Sequence, residues 1–199
     1  MSSPNRRRAR LLAVTSVVAG LVGSATLVWH ASYSAFTSTT TNPGNSWSAG
    51  SVVLTDDDSG SAMFTPTGMK PGSTGTHCIA VTSTGNLAST VKLYGATYST
   101  TNSLATYLDV TVTQGTGGTF ASCTGFTPLG SGSSVYSGTL AAFAAASTNF
   151  ATGQGSWAPT GSGSDTRVFQ FVYTLQSATP NSAQGGTAAI GFTWEAQNS

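Results

Sequence analysis

Apolar and polar residues alternate along much of this chain with a period of two, the repeat of a half-buried β-strand. In the stretch from Ala188 to Glu195, Ala188, Ile190, Phe192 and Trp194 fall on one face, while Gly191, Thr193 and Glu195 fall on the other. Phe169, Phe171, Tyr173 and Leu175 alternate in the same way with Gln170, Val172 and Thr174. Leu108, Val110 and Val112 form a third such face, and Cys78 to Thr82 and Thr90 to Tyr94 are further strands. Clusters of Gly, Pro, Ser and Asn separate these segments at the spacing of an antiparallel sandwich. Gly130 to Ser134 and Gly161 to Ser164 read as loops, because their side chains can bury no face. They are not domain boundaries, since neither side alone has enough strands for a core. One stretch breaks the pattern. Leu140 to Ala146 is Ala-rich around Leu140 and Phe143, and reads as a short helix crossing between the sheets. The expected fold is all-β, an antiparallel β-sandwich with that one helix.

Composition supports the pattern. Of 199 residues, 24 are glycine and only 7% are charged, which suits short strands and tight turns better than amphipathic helices. The aromatic share of 10% supplies enough burial to argue against a disordered chain. Four of the seven basic residues, Arg6, Arg7, Arg8 and Arg10, sit in the first ten positions. Beyond them Lys70, Lys92 and Arg167 face six acidic residues, so no basic patch exists for a phosphate backbone and nucleic-acid binding is excluded.

The arginines introduce an apolar run from Leu11 to Trp29, followed by the small and polar residues Ala31 to Ala35. Basic start, apolar centre and small-residue exit describe an export signal over 1–35. The arginines hold the N-terminus on the cytoplasmic side while the apolar run enters the bilayer. A run of this length could also stay as an anchor, since a bilayer core is about 30 Å thick. Gly20 and Gly23 weaken it as a permanent helix, and Ala35 is an acceptable last residue before a cut at Phe36. Tyr33 is bulky for an ordinary signal peptidase at its position. The membrane enters only through this segment, and 36–199 is expected to form a single sandwich domain outside the cell.

Candidate chemistry is sparse. Cys78 and Cys123 in an exported chain point to a structural disulfide, with a zinc site as the sharper alternative. Zinc needs three or four protein ligands, and His77 is the only histidine after residue 35. Asp56 and Asp58, alternate carboxylates in Asp56-Asp57-Asp58-Ser59-Gly60, could clasp calcium through oxygen. Asp, Ser and Gly are also turn formers, and the full calcium-loop pattern is missing, so a turn is the stronger reading. No nucleophile elbow accompanies the many serines, so no catalytic constellation stands out and no cofactor is implied. Trp194 belongs to a core face, whereas Trp47 and Trp157 lie among turn residues and are expected as surface contacts, with sugar stacking as one use.

These pieces line up with a family. Ala35-Phe36 after Tyr33, then Ala49-Gly50-Ser51-Val52-Val53-Leu54, Met69-Lys70-Pro71-Gly72, Gly85-Asn86-Leu87-Ala88, and Gly191-Phe192-Thr193-Trp194-Glu195-Ala196 resemble the TasA/camelysin family in order and spacing over most of the chain. The resemblance implies a jelly-roll-like sandwich, a signal processed by a SipW-type peptidase before a phenylalanine, and a place in extracellular, biofilm-matrix fibres. The peptidase and other copies of the chain or other matrix proteins are the implied partners. A mechanism follows: the freed strand of Phe36, Thr37, Ser38, Thr39, Thr40 and Thr41 completes a sheet edge of the next subunit. A surface adhesion or glycan-binding module is the alternative. The camelysin resemblance also carries a metalloprotease label, which the residues here do not support. The chain further departs from the best-known fibre members in its low charge and two cysteines.

Overall fold

The computed structural model describes Ser46 and residues 48–198. The cleavage pair Ala35 and Phe36, the strand Thr37 to Thr41, and Trp47 lie outside the described residues. Ser48–Ser199 group into one compact unit. It holds β1 (Leu54–Asp56), β2 (Thr74–Ser83), β3 (Ser89–Thr100), β4 (Leu108–Thr116), β5 (Thr127–Pro128), β6 (Ser134–Thr139), α1 (Leu140–Ala146), β7 (Gln154–Trp157), β8 (Asp165–Leu175) and β9 (Ala188–Asn198).

Two antiparallel sheets result. The larger runs β1-β2-β8-β4, with β5 and β6 both pairing along the far side of β4, and the smaller runs β7-β3-β9. Register is continuous from Thr74↔Thr174 to Ser83↔Asp165, so every second residue of β2 and β8 points inward together. Ile79, Phe169, Phe171, Val110 and Val112 are buried as the alternation requires. From the smaller sheet, Val91 and Leu93 join the same core, with Ile190, Phe192 and Trp194 packed against it. An aromatic seam joins the sheets: Phe171 lies 4.7 Å from Phe192, and Phe169 lies 5.3 Å from Trp194, centroid to centroid. Each such buried ring contributes about 1.5–3 kcal/mol by leaving water, which offsets the entropy cost of ordering a glycine-rich chain.

The helix forms where the alternation fails. Thr139 caps it, its hydroxyl accepting from the Ala142 N–H at 3.2 Å, and Leu140 and Phe143 are its buried residues. It follows β6 of the larger sheet and precedes β7 of the smaller, so it is the crossing between them. Phe143 meets Tyr136 at 4.9 Å and Phe192 at 5.6 Å.

One expectation is overturned. Trp157 is not a surface residue but ends β7, only 4% exposed, paired with Val91. Its indole N–H donates to the Asp165 carboxylate at 3.2 Å, and the Arg167 guanidinium stands over its ring at 5.8 Å. The segment Gln154-Gly155-Ser156-Trp157 has too few apolar residues to show a period. It becomes a strand because β3 offers it an edge. The loop at Gly130 also ends one residue early, at 133, because Ser134 already pairs with Thr113.

Candidate functional site

The disulfide lies on the larger sheet. Cys78 and Cys123 are bonded, with their Cα atoms 5.3 Å apart. Cys78 alternates with the inward Ile79 and so faces away from the core, yet it is only 1% exposed. What covers it is the segment 117–126, which leaves β4, crosses to β2, and returns to β5. Two glycines at φ +75° and +82°, Gly117 and Gly118, give the reversal at its start. Phe126 settles over Gly115, where an added Cβ would come within 2.8 Å of its ring.

Asp57 ties the same region together. One carboxylate oxygen accepts the Ala80 N–H at 2.8 Å, and the other accepts the Phe120 N–H at 2.8 Å. Ala80 lies just beyond the stretch Val81–Ser83 that β1 covers, so the carboxylate continues the pairing where β1 stops. The neighbouring Cys78 carbonyl accepts from Nδ1 of His77 at 3.0 Å. The imidazole lies 4.5 Å from the ring of Phe120 and 5.8 Å from that of Phe64. Of the calcium candidates, Asp56 ends β1 opposite Val81, and Asp58 lies in the turn that follows. Asp58 accepts the Gly60 N–H at 2.6 Å, and Ser59 and Gly60 both have positive φ. Burial, then Asp58 beside it, raises the Asp56 carboxyl above its ordinary value of 3.8. Among the described residues no group of three or more His, Cys, Asp or Glu is placed to hold a metal ion.

The other side of the sandwich is treated differently. β9 is 11 residues long and, among the described residues, pairs with β3 alone. Among the described residues no strand pairs with its second side, which leaves main-chain donors and acceptors open there, with β1 close by. A groove of about 200 Å³ runs beside it, lined by Leu54, Thr55 and Asp56 of β1 and by Phe192, Thr193 and Trp194 of β9. The indole N–H of Trp194 is buried and has no acceptor among the described residues. An extended chain beside β9 would meet an open ladder.

Sequence reasoning singled out Cys78, Cys123 and Trp194, and the structure gives each a definite setting. It missed the work of Asp57, which looked like the middle of a turn. Its partners Ala80 and Phe120 are distant in sequence, so no local signal could have named them. The described chain thus belongs to the class of disulfide-tied antiparallel β-sandwiches, and among the described residues no helix is long and apolar enough to cross a membrane. No protein-family model matches the chain, and no curated protein matches it significantly.

Proposed function

We propose that this chain is an exported structural subunit of an extracellular matrix or fibre, of the TasA/camelysin kind that its sequence resembles. It is cut before Phe36 and joins its neighbours by strand addition. The observation that carries this reading is the bare edge of β9 beside its groove. Strand addition takes affinity from main-chain hydrogen bonds and specificity from pockets for alternate side chains. The Thr-rich segment Phe36 to Thr41 has the β-propensity for it, and the β9 edge is long enough to receive all six residues. Phe36 is the apolar anchor in the groove.

Export is supported by the disulfide, because such bonds persist in oxidising compartments and are rare in the cytosol. The protease label gains nothing from His77, whose Nδ1 is committed to the Cys78 carbonyl between two aromatic rings. Electron microscopy of purified protein beginning at Phe36 tests the assembly. Filaments are expected from it and none from a form lacking Phe36 to Thr41. Filaments of equal length from both would sink the proposal, and a monomer that binds glycans would favour the adhesion reading.

A further inference from the structure

Two edges of the sandwich are handled in opposite ways. Among the described residues no strand pairs with the second side of β9, whereas the stretch Thr74 to Ala80 of β2, which β1 does not cover, has its main-chain groups occupied near its end by side chains. Asp57 holds the Ala80 N–H, and His77 holds the Cys78 carbonyl. Phe120, at the tip of the 117–126 segment, packs on the imidazole and is itself fixed to Asp57 through its N–H. The covalent tie from Cys123 to Cys78 keeps that segment in place. Natural sheets blunt their edges with inward charges and covering loops, and these contacts do both.

We propose that the 117–126 segment, Asp57 and the Cys78–Cys123 bond form an edge guard, and that opening it exposes β2 as a pairing surface for β9 of another copy of this chain. The inference goes beyond assembly through Phe36 to Thr41 and does not require that segment. A second copy is the occupant because every molecule carries a β9 edge with which no described strand pairs. The two edges are compatible in charge: Thr74 to Ala80 holds no Asp, Glu, Lys or Arg, and β9 holds only Glu195. Pairing unlike edges is heterologous, so it propagates as an open chain unless one edge is shut. With the guard closed, the Thr74–Ala80 stretch is closed to β9 of another copy and β2-to-β9 growth is blocked.

The guard opens by thiol–disulfide exchange with a dithiol. A thiolate of the reagent attacks Sγ of Cys123, the less buried partner, and Cys78 leaves as a thiolate that takes up a proton. The reagent's second thiol then displaces Cys123, so one dithiol becomes a cyclic disulfide while the protein gains two thiols.

The test compares the full chain oxidised and treated with dithiothreitol, by hydrogen exchange and sedimentation velocity. Exchange at the Ala80 and Phe120 amides is expected to quicken about tenfold or more, the effect of losing a hydrogen bond to a charged group. Larger species are expected to appear on reduction. Thr76→Pro is the control. Thr76 is exposed and has the same strand parity as Ala80, so its N–H points to the same outer edge, and proline removes that donor. In this variant reduction is expected to leave the mass unchanged. Reduction that alters neither exchange nor mass, or association that survives Thr76→Pro, overturns the proposal. If reduction abolishes the β-sheet circular dichroism, the oxidised Asp57→Ala variant decides: association cancelled by Thr76→Pro supports the guard, and a strictly monomeric variant refutes it.

Discussion

Trp157 shows how much one side chain joins in this fold. It is buried at the end of a four-residue strand, donates to Asp165, lies beneath Arg167, and meets Phe169 at 6.3 Å. Trp157→Ala should therefore cost about 3–5 kcal/mol, the range for truncating a buried large aromatic, read as a lower urea midpoint at unchanged slope. A loss below about 1 kcal/mol would mean that β7 is not anchored by this ring. On the outer face of the smaller sheet, the Tyr94 hydroxyl donates to Glu195 at 2.8 Å and Gln197 donates to the same carboxylate at 2.7 Å. The Gln197 bond, then the Tyr94 bond, holds the Glu195 carboxyl below its ordinary 4.5. A carboxyl depressed in the folded state stabilises the fold above its unfolded value, and that contribution fades as pH falls through the folded one. The bond to Glu195, then burial, raises the Tyr94 hydroxyl above 10.0, so its contribution is present below that pH and fades as pH rises through the raised value. Tyr94→Phe should move the Glu195 titration upward but short of 4.5, since Gln197 remains; an NMR titration with no movement would show that the hydroxyl bond is not made.

At the scale of elements, two short features decide how the sheets close. β5 is only two residues, Thr127 and Pro128, and it lies against β4 because Gly115 leaves room. A Cβ at Gly115 would collide with the Thr127 carbonyl as well as with the Phe126 ring. Gly115→Ala should therefore cost about 1–3 kcal/mol through overpacking and loosen the 117–126 segment, visible as faster amide exchange from Phe120 to Phe126. The helix α1 depends on its cap. Thr139→Ala should cost about 1 kcal/mol, and Thr139→Ser, which keeps the hydroxyl, should cost clearly less. Equal losses would assign the effect to the lost methyl packing rather than to the cap. The helix boundaries were readable, because Ala-rich sequence between Thr139 and Ser147 has no alternation to compete with it. The strands β5, β6 and β7 were not, because they are short, β6 and β7 carry Gly and Ser, and all three gain their order from neighbours that the local pattern does not contain.

For the whole molecule, the disulfide is the main covalent restraint. Its sequence separation of 45 closes a loop whose entropy is worth about 4 kcal/mol in the unfolded chain. Guanidinium unfolding with and without a reductant should differ by about that much, and a difference under about 1 kcal/mol would mean that the unfolded chain is not constrained as that model requires. The sequence by itself determined the all-β class, the inward faces of β4, β8 and β9, the helix and the pairing candidates Cys78 and Cys123. Those features depend on the period of side chains along a strand, on propensity and on compartment, all of which are local or compositional. Only the tertiary structure decided that Trp157 is buried, that Asp57 spans Ala80 and Phe120, and that among the described residues β9 pairs with β3 alone. The physical reason is distance along the chain. An edge is defined by which strands are absent beside it, and a guard by contacts between residues far apart in sequence; neither leaves a periodic trace in the residues that form it.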